Sequence, residues 1–149
     1  MDAFIDGVKV ANTPSGTVPV VLVGVEGDDD LLPVFVGFDE AMAIRRGLDA
    51  HDIGRPLTHD LLLDVMEELG GRVDAVEISE LRDGTYIADL HVDTPRESVV
   101  VDARPSDALA LAARTNAPVS VAADVFEAGR EPAAEFAELA DIREVVEDE

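Results

Sequence analysis

Val73-Asp74-Ala75-Val76-Glu77-Ile78-Ser79-Glu80-Leu81-Arg82-Asp83-Gly84-Thr85-Tyr86-Ile87-Ala88-Asp89-Leu90-His91-Val92 reads as two strands joined by a tight turn. The Asp83-Gly84 pair carries that reading, because a short hairpin turn needs positive φ angles that Asp and Gly tolerate. Tyr86, Ala88, Leu90 and Val92 alternate with Thr85, Ile87, Asp89 and His91, so one face of the second strand is apolar. Working outward, residues 99–101 supply a third strand of this group, and 119–121 a short last one. Upstream, residues 4–11, 18–25 and 31–36 are separated by Asn12-Thr13-Pro14-Ser15-Gly16 and Gly27-Asp28-Asp29-Asp30. This predicts an antiparallel meander. The nearly unbroken apolar character of 18–25 and 31–38 suits burial on both faces, within one chain or across a dimer.

Helices are expected between and after these strands. Gly37-Phe38-Asp39-Glu40 opens the first, with Asp39 as N-cap and Ala41, Ile44 and Leu48 on one apolar face. Thr58 caps the second, Leu61, Leu62, Val65 and Leu69 form its buried side, and Gly70-Gly71 stops it. Ser106 caps the third, which Asn116 and Pro118 end. Residues 124–128 suggest a helical turn. After Pro132, Phe136, Leu139, Ala140 and Val146 recur at helical spacing, with Gly129-Arg130 as a hinge. The expected class is α+β: an antiparallel or mixed sheet, from the N-terminal meander and the central hairpin, packed with about three helices. Residues 1–129 form the domain and 130–149 an acidic terminal helix or tail.

A chain of 149 residues suits one domain and, with no cysteine, offers neither disulfides nor cysteine-bound zinc. Its acidic start does not resemble a signal peptide, and its apolar runs fall well short of the ~18 residues of a membrane span. A cytoplasmic location without membrane contact is expected. The charge is extreme: 33 acidic against 11 basic residues, net -22, with Lys9 the sole lysine. Self-repulsion of that size weakens a compact state in dilute buffer. Above about 1 M salt the Debye length is only about 3 Å, so the composition reads as halophilic. It also argues against a generic nucleic-acid binder, which relies on basic patches releasing counterions. Aromatics make up 4% of the chain, too few for an extended base-stacking platform.

Two segments look over-specified: Arg55-Pro56-Leu57-Thr58-His59-Asp60-Leu61 and Asp102-Ala103-Arg104-Pro105-Ser106-Asp107-Ala108. Each runs Arg-Pro, then a hydroxyl residue, then an Asp in the first helical turn. Helix capping alone explains much of this. A helix N-terminus is also an anion site, however, and Arg55 and Arg104, with Thr58 and Ser106, are suited to bind phosphate oxygens. Asp60 and Asp107 would repel phosphate unless a divalent cation intervened. Mg²⁺ or Mn²⁺ bridges carboxylates to phosphates, and Asp60, Asp107 and Glu40 are the expected ligands. His59 is the expected proton carrier, an imidazole being able to titrate near neutral pH. The catalytic set is then His59, Asp60, Asp107 and Arg104. His51 lies in a loop, and His91 reads as a solvated strand residue beside Asp89. No Gly-rich phosphate loop or nucleophile elbow is present, so no organic cofactor and no Ser-His-Asp hydrolysis is expected.

Together with Leu32-Pro33-Val34-Phe35-Val36-Gly37 and Asp83-Gly84-Thr85-Tyr86, these two segments resemble the bifunctional nuclease family. The match runs in order from about Phe4 to Gly129. The resemblance implies a mixed α/β domain, self-associating as a homo-oligomer with a dimer favoured, and a nuclease acting on DNA and RNA. The motif positions that it carries over are Glu40, Arg55, Thr58, His59, Asp60, Arg104, Ser106 and Asp107. The acidity departs from the family's general pattern. Two other readings stand beside a metal-assisted nuclease. One is a non-enzymatic oligomeric binding or assembly module, in which the Arg-Pro segments only cap helices. The other is a sensor of a small phosphorylated ligand at the same helix ends.

Overall fold

The structure, a computed structural model, describes residues 1–51 and 54–146, so part of the loop after His51 and the terminal acidic run lie outside it. The N-terminal meander forms as expected. β1 (Asp2–Thr13) pairs antiparallel with β2 (Gly16–Val25), and β2 with β3 (Leu31–Phe35). The central hairpin pairs β4 (Arg72–Arg82) with β5 (Thr85–Asp93), and Asp83 and Gly84 at its turn take φ of 53° and 80°. β6 (Ser98–Ala103) pairs antiparallel with β5.

One short strand joins the two groups. β7 (Val119–Val121) lies between β1 and β4, antiparallel to the first and parallel to the second. The order is therefore β3-β2-β1-β7-β4-β5-β6, with β8 (Ala140–Asp141) also pairing with β1. The parallel pair follows from the helix that precedes β7, since a crossover is what lets a strand run parallel to an earlier neighbour. The fold is α+β with a mostly antiparallel mixed sheet.

The helices are α1 (Phe38–Leu48), α2 (Thr58–Glu68), α3 (Pro105–Thr115), α4 (Ala123–Gly129) and α5 (Ile142–Val146). α3 is the central one: Leu109, Ala110 and Ala113 join the core under β1–β3, while Ala108, Leu111 and Ala112 join the core under β4–β6. Its alanines allow close approach. A Cβ placed on Gly47 of α1 would lie 2.9 Å from the Arg114 amide nitrogen and 3.0 Å from Ala113 Cβ. α3 ends at Asn116 in the left-handed region, and α2 is followed by Gly70 at φ 83°, as the sequence predicts. On the other face of β2, Val20 and Leu22 pack with Leu31, Phe136 and Leu139, so β2 is buried on both sides within the chain.

Several local expectations are corrected. Asp39, Thr58 and Ser106 are not N-caps; those places belong to Gly37, Leu57 and Arg104, and none of the three caps through its side chain. At α3 the reason is Pro105, whose fixed φ and missing amide hydrogen suit the first helical position, which moves Ser106 to the second. At α2, Asp60 at the third position accepts a hydrogen bond from the Leu57 amide at 3.2 Å, the returning half of a capping box. The expected buried side of α2 is exposed: Leu61, Leu62, Val65 and Leu69 are all on the surface, and Leu63 and Met66 make the inward contacts. Leu48 of α1 is likewise exposed, whereas Ala41 and Ile44 are buried.

The segment after Gly129 is not one helix. It forms a 3-10 turn (Ala133–Phe136), β8 and α5, with Ile142 fully buried. Arg130 fastens its start, bonding Asp28 and Asp30 at 2.8 Å and lying 4.8 Å from the Phe126 ring centroid.

Candidate active site

Three helices each carry a carboxylate at their third position: Glu40 in α1, Asp60 in α2 and Asp107 in α3. Acidic residues are favoured there by the amide groups and dipole of the helix start. Two of the three meet at one guanidinium. Arg104 donates through Nε to Asp107 Oδ2 at 3.3 Å and through Nη2 to Glu40 Oε1 at 3.5 Å. Those bonds use only part of the five-donor fork, and the side chain is 67% exposed, so donors are left for a ligand. Gly37 leaves room beside them: a Cβ at that position would meet the Glu40 carboxylate in its present rotamer.

The second link is between the starts of α2 and α3. His59 Nε2 lies 3.0 Å from Asp107 Oδ1, with the imidazole only 20% exposed. Burial pushes the Asp107 carboxyl up, but the hydrogen bonds from His59 and Arg104 outweigh it and hold the group below its ordinary value. An ionised carboxylate can only accept, so Nε2 carries the shared hydrogen and Nδ1 is left as the basic atom of a neutral ring. The same Asp107 raises the Arg104 pKa further through its hydrogen bond and charge.

Asp60 takes a different position. Its Oδ1 pairs with Arg114 Nε at 3.1 Å, and Arg114 also donates to the His51 carbonyl at 3.0 Å. Asp60 thus ties the start of α2 to the far end of α3. Arg114 is seven residues beyond Asp107, two turns along one face, and that spacing is the signal by which sequence could have found it.

A cavity of about 560 Å³ gathers Glu40, Thr58, His59, Arg104 and Asp107, together with Asp39 and Arg46. A neighbouring cavity of about 490 Å³ holds Ser106 and shares Glu40 and Arg104 as its wall. Arg55, exposed in the loop before α2, lines neither. The structure therefore brings His59, Asp107, Arg104, Glu40 and Thr58 together, sets Ser106 next door and leaves Asp60 behind His59.

The carboxylates expected to hold a metal each face an arginine: Glu40 and Asp107 share Arg104, and Asp60 has Arg114. A divalent ion would have to displace those cations, so the set fits an ion poorly as arranged. Among the described residues, one group has ligand atoms within 4.8 Å of one another: Glu77, Asp89 and His91. These alternate with the core-facing Val76, Ile78, Ala88 and Leu90 and so lie on the sheet face away from α3. Asp89 and His91 share a strand face in the sequence pattern, and the strand register brings Glu77 across from Asp89.

Residues 20–133 match the model of the bifunctional nuclease domain. An uncharacterized protein of Mycobacterium tuberculosis is 40% identical over 103 residues, 69% of this chain and 61% of that protein. Bifunctional nuclease 2 of Oryza sativa subsp. japonica is 28% identical over 107 residues, covering 69% of this chain and 33% of the plant protein. Bifunctional nuclease 2 of Arabidopsis thaliana is 28% identical over 105 residues, 68% of this chain and 32% of that one. The chain thus spans less than two thirds of the curated relatives that it matches. The family match covers β2 through α4 and hence every side chain of the cleft, and on that ground the chain belongs to the bifunctional nuclease domain family.

Proposed function

We propose that the chain hydrolyses phosphodiester bonds of DNA or RNA in the cleft between α1, α2 and α3. The observation that carries the reading is the His59–Asp107–Arg104 chain: a proton carrier and a phosphate-binding guanidinium held by one carboxylate. His59 Nδ1 takes a proton from water as the water oxygen attacks phosphorus. Arg104 stabilises the charge gathering on the non-bridging oxygens. The ester P–O bond then breaks, and the proton on His59 passes to the leaving oxygen. Asp107 fixes the ring and its tautomer. Thr58 and Ser106 stand at the two helix starts that flank the phosphate, and Asp60 positions α2.

Asp39, Glu40 and Asp107 outnumber Arg46 and Arg104 in the cavity lining. Two of those three carboxylates are paired with Arg104, so Mg²⁺ or Mn²⁺ enters only as a variable of the assay, and concentrated salt is the medium in which an acidic chain meets a polyanion. The steps above use the chain's own groups alone. Cleavage of labelled single-stranded DNA and RNA in concentrated KCl, with Mg²⁺, Mn²⁺ or EDTA, tests the proposal. Turnover that survives unchanged in both His59→Ala and Arg104→Ala would defeat it.

The exposed apolar side of α2 favours a second reading, a homo-oligomeric assembly module in which Leu61, Leu62, Val65 and Leu69 build the contact. The two readings are compatible, since that side of α2 does not line the cleft.

A further inference from the structure

We infer that the cavity beside the Arg104–Glu40 pair is a nucleobase pocket, which makes the cleft selective for nucleotides whose bases are unpaired. The inference rests on the phosphodiesterase reading and adds what is recognised next to the phosphate. The two cavities differ in chemistry. The one at His59 is lined by several charged side chains of both signs. The other has only two, Glu40 and Arg104, and they neutralise one another at 3.5 Å. Its remaining walls are Val34 and Phe35 at the end of β3 with Val36 and Gly37 beyond it, Gly84 to Tyr86 at the hairpin turn, and Pro105 and Ser106 at the start of α3. A space of about 490 Å³ whose two charges are paired, with apolar and polar groups mixed in its walls, is in the range of small-molecule pockets and suits an uncharged planar group that also makes hydrogen bonds.

Phe35 makes the class of ligand specific. It is 60% exposed, the most exposed aromatic of a chain that has only six. A lone exposed Phe is ordinary. This one stands on the rim of a neutral cavity whose other wall is the phosphate-binding guanidinium. Tyr86 is held from behind: a Cβ at Gly129 would collide with its hydroxyl group, so the ring has little room to swing that way. A phosphate on Arg104 thus puts the adjoining nucleoside within reach of two aromatic side chains. Stacking on such rings is tolerant of base identity, in keeping with a nuclease of broad substrate range. A base inside a duplex is unavailable to this pocket unless it is extruded.

The test uses single-stranded oligonucleotides that carry either a normal base or an abasic tetrahydrofuran unit beside the cleaved linkage. Phe35→Ala is expected to raise KM about 10-fold for the normal linkage and leave the abasic one unchanged. Phe35→Tyr is expected to restore the wild-type value. An equal loss on both linkages, or none on either, would overturn the pocket while leaving the hydrolase reading intact. If the wild-type chain cleaves neither, the hydrolase reading fails and calorimetry decides the pocket. Tighter binding of a nucleoside monophosphate than of ribose 5-phosphate, abolished by Phe35→Ala, supports it. Equal binding of the two overturns it.

Discussion

Replacing Asp107 by Asn keeps the shape of the side chain and removes the charge that holds His59 and Arg104. Asp107 accepts from His59 Nε2 at 3.0 Å and from Arg104 Nε at 3.3 Å. An amide presents one acceptor where the carboxylate had two oxygens, so one donor loses its partner or the ring tautomer reverses. Orientation and general-base action of an imidazole are worth about 10²–10⁴-fold, and the lower figure applies here because the site is open to water. We expect kcat on single-stranded DNA to fall about 100-fold in Asp107→Asn, with KM changed less. His59→Ala should cost at least as much, and the double variant no more than His59→Ala alone, because the two residues act as a unit. The stability cost is expected to be small, about 1 kcal/mol, since the carboxylate is 39% exposed and its bonds are screened. Its sign with pH is fixed. The Asp107 carboxyl is held below its ordinary value, so its contribution is present above the unfolded-state pKa of about 3.9 and is lost as pH falls through the folded value. Urea melts should therefore separate wild type from Asp107→Asn at pH 7 and converge in strong acid. Additive losses in the double variant, or full activity in Asp107→Asn, would refute the coupling.

Gly47→Ala drives a methyl group into the α1–α3 crossing and should cost about 1–3 kcal/mol in urea denaturation; an unchanged midpoint would show that the helices can separate freely. Leu62→Glu combined with Leu69→Glu should leave monomer stability within about 0.5 kcal/mol while dissociating any oligomer seen by light scattering. A wild type that is monomeric at high concentration would end that reading of α2. Raising KCl from 0.1 M towards 1 M, which shortens the Debye length from about 10 to about 3 Å, should raise Tm; a flat or falling Tm would count against an adaptation to salt.

The strands were legible because their information is local. Alternation at Tyr86, Ala88, Leu90 and Val92, and a turn at Asp83-Gly84, need no partner to be recognised. The placement of β7 between β1 and β4 was not legible, since three residues carry no label for their neighbours. Helix caps were misread by one or two positions, because Pro105 and Asp60 fix the first turn more firmly than the hydroxyl of Ser106 or Thr58. The apolar stripe of α2 was found, but periodicity says only that a stripe exists, not what covers it. The contact of His59 with Asp107 and that of Arg114 with Asp60 join residues distant in sequence, so spacing along α3 suggests the two positions but only coordinates give their partners.

β7 joins the two halves of the sheet with three residues. Each half of the sheet closes on itself through nearby hairpins, but neither bonds to the other until residues 119–121 slot between them. β7 follows α3 in the chain and pairs with residues at the far N-terminal end, a non-local contact of the kind that slows folding. Glu40 stands on α1, and Arg104 and Asp107 at the start of α3, and these two helices pack directly against each other at Gly47 and Ala113. The Glu40–Arg104 pair is therefore held by that helix crossing, while β7 keeps the sheet beneath it in one piece. Weakening Val119 or Val121 would loosen the sheet at its join while the α1–α3 crossing still holds the pair.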